Sequence, residues 1–118
     1  MDELDEELAT MGTALALLML AIATEVGATA ALPRTEGFTH VVWTPIVLIG
    51  YALSIWLLAL VVREMPVSIA YAIWSGLGTA LIAVVGVILL GESWDLTKVA
   101  ALAMIIVGVV VLNLHGAA

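Results

Sequence analysis

The stretch LMLAIATEVGATAAL, Leu18 to Leu32, is apolar or small throughout apart from one carboxylate, Glu25. It forms the inner part of a longer apolar segment that runs from about residue 11 to residue 32. A helix needs about 17–25 such residues to cross roughly 30 Å of hydrocarbon. A strand of a transmembrane barrel would be shorter and would alternate apolar with polar residues. The stretch therefore reads as a membrane-crossing helix that carries a single acid.

Working outward, three more apolar segments follow, at about 41–62, 67–90 and 96–114. The first separator, PRTEGFTH (Pro33 to His40), has helix-ending chemistry. The second is REMP (Arg63 to Pro66) and the third is GESWDLTK (Gly91 to Lys98), where Asp95 or Thr97 is a candidate N-cap. Pro45 is tolerable near the start of the second segment. VGVILL and VGVVVLNL are rich enough in β-branched residues to suggest strands locally, but their length and lack of turns favour helix. The expected fold class is an all-α membrane protein with four transmembrane helices per chain. Residues 11–118 form that domain, and residues 1–10 are an acidic N-terminal extension.

Composition agrees. The chain has 118 residues, 64% hydrophobic and 11% charged, with a mean hydropathy of +1.26. Soluble domains are about 45–50% apolar and about 25% charged, so the expected setting is a bilayer. The absence of cysteine excludes disulfides and thiolate metal sites. The two histidines, His40 and His115, lie far apart, so neither a metal cluster nor a cofactor is expected. The net charge of −7 is concentrated, with five of the ten acids in MDELDEEL. Leu4, Leu8 and Met11 follow spacings of four and three, which suggests a helical turn or two leading into the membrane. The segment lacks the positive region of a secretory signal. Three basic residues give nucleic-acid binding nothing to rest on.

With four spans, Arg63 lies on the side of the termini and Arg34 and Lys98 on the other. One basic residue against two is almost no orientation bias, since that bias counts basic residues and gives acids little weight. Insertion both ways round follows as an expectation, and with it an antiparallel, dual-topology dimer.

A charged residue within a membrane span is expensive, and such residues usually face a bundle interior and serve a function. On a helix the neighbours of Glu25 are Leu18, Ala21, Ile22, Ala28, Thr29 and Leu32. The nearest are mostly small, leaving room for a solute or for close helix packing. No basic residue lies inside any span, so Glu25 has no obvious salt-bridge partner. It is then either protonated and neutral, or ionised with a bound cation. Competition between those states suffices for proton-coupled exchange. A protonated glutamate that simply hydrogen-bonds a neighbouring helix is the plainer alternative.

Aromatic faces attract cations. Tyr71 and Trp74 are three apart on the third segment, and Tyr51 and Trp56 flank Ser54 on the second. Trp43 and Trp94, near loops, fit an interfacial belt. Ser68, Ala72, Gly76 and Ala80 form a stripe of small residues suited to close packing, and SGLG (Ser75 to Gly78) weakens the helix locally and offers a bend. Ala101 and Gly108 form a weaker stripe on the fourth segment. Asn113 and His115 read as solvated end residues.

TEVGATAALPRTEGFT, IAYAIWSGLG and the DL after an acidic third loop resemble the small multidrug resistance transporter family, over about residues 11–114. The resemblance implies an antiparallel homodimer of four-helix chains that exports cations in exchange for protons. Glu25 matches the family's central proton- and substrate-binding carboxylate, and Trp74 and Tyr71 match its third-helix aromatics. Tyr51 and Ser54 match second-helix positions near the carboxylate, with Trp56 a neighbour. Gly76 and Gly78 match a conformational hinge, and Gly108 a fourth-helix dimer contact. The chain departs from the family where Pro33 and Arg34 replace a usual lysine, and where Leu15 replaces a tyrosine found in many multidrug members. The tryptophan of the guanidinium-exporting branch is absent, with Ala28 and Thr29 in its place, which favours the multidrug branch.

The expected function is a proton-coupled antiporter for small lipophilic or aromatic cations of the quaternary ammonium type. Its partners would be protons, those cations, the lipid bilayer, and a second copy or a paralogue. The alternatives are a guanidinium or polyamine exporter of the same fold, and a non-transporting membrane assembly subunit. No nucleophile–base set or phosphate loop points to an enzyme.

Overall fold

The computed structural model describes residues 2–117, and among these the side chains of Asn113, Gly116 and Ala117 lie outside the described residues, as does the sequence reading of Asn113 as solvated. The chain is helical, with helices α1 (Asp2–Ala31), α2 (Trp43–Val61), α3 (Val67–Leu89) and α4 (Leu96–Ala117). A short 3-10 turn, Leu32–Thr35, follows α1. The helices match the four apolar segments closely, with two differences at the ends. The acidic head is helical, as the spacing of Leu4, Leu8 and Met11 suggests, and α1 continues without a break from Asp2 into the apolar segment. Its first-turn acids Asp2, Glu3 and Asp5 suit the positive end of the helix dipole. At the other end α4 extends to Ala117 rather than stopping at Leu114.

Each break has a local cause. Pro33 has no N–H to give and is the second residue of the 3-10 turn. Thr35 is buried and organises the loop: its hydroxyl donates to the Leu32 carbonyl at 2.8 Å, and its own carbonyl accepts from the N–H groups of Thr39 and His40, both at 2.9 Å. Glu36, Gly37 and Phe38 all take left-handed backbone, at φ 52, 71 and 67°, a conformation that glycine adopts without strain. His40 gains a role that its sequence did not suggest. Its Nδ1 accepts hydrogen bonds from the N–H groups of Val42 and Trp43, at 3.2 and 3.1 Å, and so caps the start of α2. Between the two N-cap candidates for α4, the structure selects Asp95, whose Oδ1 accepts from the Lys98 N–H at 2.7 Å.

Three helices are long and apolar enough to cross a membrane, and α4 contributes a shorter apolar stretch, Leu96–Leu112. Their side chains are largely uncovered within one chain. Ile46, Leu48, Ile49, Leu53, Ile55 and Trp56 of α2 are all exposed, and in water such a continuous apolar face would be untenable. α1 is central: it packs on α2 and on α3, while α4 packs chiefly on α3. The core is a cluster of Leu18, Ile22 and Val26 of α1 with Val61 of α2 and Ile69, Ala70 and Ile73 of α3. Leu18, Ile22 and Val26 recur every four residues, so α1 presents one straight seam to both neighbours.

The loop aromatics lie where the loop cations can use them. Arg34 sits over the Trp43 ring at 5.1 Å and Lys98 over the Trp94 ring at 6.0 Å. Lys98 also reaches Glu92 at 3.5 Å, the one ion pair among the described residues. The exposed His115 lies near the end of α4.

Candidate functional site

Glu25 sits in the sixth turn or so of α1, partly buried within a single chain and with no basic side chain in ion-pair range among the described residues. Its two oxygens have different surroundings. Oε1 accepts a hydrogen bond from the Thr29 hydroxyl at 2.8 Å, one helical turn further along α1. Thr29 is in turn 2.8 Å from the Tyr51 hydroxyl on α2. Oε2 faces α3, where a Cβ placed on Gly78 would stand 3.3 Å from it. Only a residue without a side chain leaves the carboxylate unobstructed there.

Between Glu25 and α3 lies a cavity of about 170 Å³, lined by Glu25, Trp74, Ser75, Gly78, Thr79 and Ile82. The α3 residues fall at spacings of three and four, so one helix face supplies a tryptophan, two hydroxyl side chains and a glycine. Trp74 Nε1 is buried with no hydrogen-bond partner. The Trp74 ring meets Tyr71 edge-on, with centroids 5.5 Å apart and planes at 60°. Larger hollows of about 400 and 520 Å³ occur where the first turns of α1 approach Arg63 and Glu64. These are open surface grooves without a buried polar group and lie away from Glu25.

The structure thus brings Glu25, Trp74 and Gly78 together around one cavity, with Tyr51 attached through Thr29. Tyr71 meets this group through the Trp74 ring and through its carbonyl, which accepts from the Ser75 hydroxyl at 2.8 Å, and its side chain is exposed. Ser54 is fully buried but does not line the cavity. Its hydroxyl donates to the Ala21 carbonyl at 2.7 Å and ties α2 to α1. Trp56 is exposed on the outer face of α2 and is not part of the cavity wall. Gly76 faces α4, where any side chain would run into Val109. α3 is continuous through both Gly76 and Gly78. Gly108 of α4 is exposed, with open space where a Cβ would stand.

Four side chains at this site escaped the sequence reading. Thr29 was visible as an i+4 neighbour of Glu25 but read only as small. Ser75 was read only as part of the SGLG bend, Thr79 and Ile82 carried no motif, and the place of all three emerges only once the α1–α3 register is known.

Comparison with known proteins is consistent across most of the chain. Residues 13–105 match the family described as Small Multidrug Resistance protein. The multidrug resistance protein mmr of Mycolicibacterium paratuberculosis is 50% identical over 101 residues, 85% of this chain and 94% of its own. The quaternary ammonium compound-resistance protein QacE of Escherichia coli is 43% identical over 97 residues, 82% of this chain and 88% of its own. The nicotine metabolites export pump subunit NepA of Paenarthrobacter nicotinovorans is 44% identical over 99 residues, 84% of this chain and 85% of its own.

Proposed function

The chain belongs to the Small Multidrug Resistance protein family, and from that premise we propose that Glu25 binds protons and small organic cations in competition. The protein is a multi-pass protein of the inner membrane and a multidrug efflux transporter. The finer reading is a proton-coupled antiporter whose substrates are lipophilic or aromatic cations of the quaternary ammonium type, as the names of its relatives suggest.

One observation carries this reading: the carboxylate opens onto a cavity walled by a tryptophan, two hydroxyls and a glycine, with no basic side chain beside it. An unpaired carboxylate in a low-dielectric setting is costly. A proton removes the charge, and an organic cation neutralises it. The Trp74 face adds attraction for a cation but not for a neutral solute. Since one carboxylate cannot hold both ligands, arrival of a cation expels the proton, and protonation on the other side expels the cation.

The size of the cavity supports a dimer, which we read as antiparallel. About 170 Å³ is smaller than the roughly 300–1,000 Å³ usual for small-molecule sites. A second copy with its own Glu25 facing the first would enlarge the space and supply a second proton site. The exposed α4 face, with Met104, Val107, Gly108 and Val111, is the surface on which Gly108 would serve as a dimer contact. Alternating access then consists of the two chains exchanging conformations, with Gly76 and Gly78 as the place where α3 bends.

The test is proton release from purified protein on addition of benzyltrimethylammonium in weakly buffered medium, repeated with Glu25→Gln. Release by the natural protein, its loss in the variant, and failure of guanidinium to displace the ammonium are the expected results. Absence of release near neutral pH would overturn competition at Glu25.

A further inference from the structure

We infer that Thr29 and Tyr51 form a positioning relay that gives the two oxygens of Glu25 separate tasks, with Oε1 anchored on the α2 side and Oε2 exchanging proton for cation on the α3 side. The inference rests on the reading of Glu25 as a shared proton and cation site, and it says which atom of that site does the work.

The terminal torsion of a glutamate is broad and roughly two-fold, so nothing intrinsic distinguishes its oxygens. Here the surroundings do. A threonine hydroxyl has one hydrogen and two acceptor lone pairs. Thr29 gives its hydrogen to Glu25 Oε1 at 2.8 Å. The 2.8 Å contact between Thr29 and Tyr51 must then run the other way, with the tyrosine O–H donating and the threonine oxygen accepting. The relay therefore has a direction: Tyr51 to Thr29 to Oε1. Each donation makes the next hydroxyl a better donor.

This direction decides where the exchangeable proton sits. Kept in the neutral acid, the Thr29 bond makes Oε1 the carbonyl oxygen and places the acidic hydrogen on Oε2. Oε2 is also the oxygen turned to Gly78, on the α3 side where the cavity lies. When a cation enters, the O–H bond at Oε2 breaks, the proton leaves to water, and the electron pair stays on the carboxylate. One positive charge arrives as one departs. Throughout, Oε1 keeps its hydrogen bond, so the carboxylate stays aimed at α3 rather than rotating toward α2. Tyr51 on this view touches Glu25 only through Thr29 and is a positioning residue.

The experiment uses the full chain in detergent, comparing the natural protein with Thr29→Val, Thr29→Ser and Tyr51→Phe. Two readouts are taken: affinity for benzyltrimethylammonium, and the infrared carbonyl stretch of neutral Glu25, identified by its disappearance in Glu25→Gln. Hydrogen bonds to charged groups are the stronger kind, so Thr29→Val should weaken binding by about 10-fold to 100-fold. Its carbonyl stretch should move to higher frequency as Oε1 loses its donor. Thr29→Ser, which keeps the hydroxyl, should restore both within a few-fold, and Tyr51→Phe should fall between. Unchanged affinity with an unmoved stretch in Thr29→Val would overturn the relay, as would a Thr29→Ser protein equally impaired. Should the natural protein neither bind the ammonium nor release a proton, it is the exchange function that fails. The infrared comparison still decides the relay in that case.

Discussion

On the α2 side of Glu25, a Cβ added to Gly50 would stand only 3.1 Å from the Ala28 Cβ, Ser54 is bonded to the Ala21 carbonyl, and Tyr51 reaches Thr29. On the α3 side, the same stretch of α1 faces a cavity, and the nearest backbone is that of a glycine with nothing but Glu25 Oε2 beside its missing side chain. The two neighbours of one helix are therefore built by opposite rules. Toward α2, small residues serve contact, and the Tyr51 and Ser54 hydroxyls are engaged with α1. Toward α3, small residues serve clearance: the Ser75 and Thr79 hydroxyls bond carbonyls of their own helix, and Trp74 Nε1 has no partner. A glycine in a membrane helix can thus mean two different things, and only its neighbours tell which.

The sharpest way to break this contrast is Gly78→Leu. No packed atom other than Glu25 Oε2 lies within 4 Å of that position, so the chain should fold while the added side chain fills the cavity. Loss of ammonium binding with normal yield and thermal stability is the expected result. Retained affinity would mean that the working side is not toward α3. Gly50→Val should do the reverse. Its branched side chain would be forced against Ala28, and overpacking of this kind costs about 1–3 kcal/mol. A lowered unfolding midpoint in detergent should appear, with residual folded protein still binding cation. The smallest effect is expected of Ser54→Ala. Interhelical hydrogen bonds in membranes contribute on average about 0.6 kcal/mol, so a slight loss of thermal stability and an unchanged affinity are predicted. A large loss of affinity in Ser54→Ala would place that hydroxyl at the cation site after all and erase the distinction between the two sides.

How much of this could be read beforehand follows from what each signal depends on. The four helices were legible because hydropathy and length are properties of a single segment. Glu25 was legible because one acid in an apolar span stands out against its own neighbours. Trp74 was read from its aromatic face and strengthened by the family resemblance, and Gly78 was read only as a bend, since spacing alone does not reveal which face of α3 meets α1. Ser54 and Trp56 show the limit. Both lie within a few residues of Tyr51, yet one is turned into the α1 seam and the other outward, because 100° per residue separates near neighbours in sequence. Thr29 was hidden for another reason. Its i+4 relation to Glu25 was plain, but whether a threonine hydroxyl serves its own backbone or a neighbour depends on rotamer. Thr24 bonds the backbone carbonyl of Ala21 while Thr29 bonds a side chain. His40 was overlooked as a cap because capping is ordinarily sought among Ser, Thr, Asp and Asn.

The unbroken course of α1 from Asp2 to Ala31 has a mechanical consequence. A helix of that length measures about 45 Å, some 15 Å more than the hydrocarbon it crosses. The distance from Glu25 to the outer end is about 34 Å by the same rise per residue. A rotation of about 10° pivoting near Glu25 would sweep that end through about 6 Å, far more than any displacement at the carboxylate itself. For such a pivot the acid-rich tip would be the far end of a lever, and a spectroscopic label placed there would read the rotation from outside the bilayer, magnified.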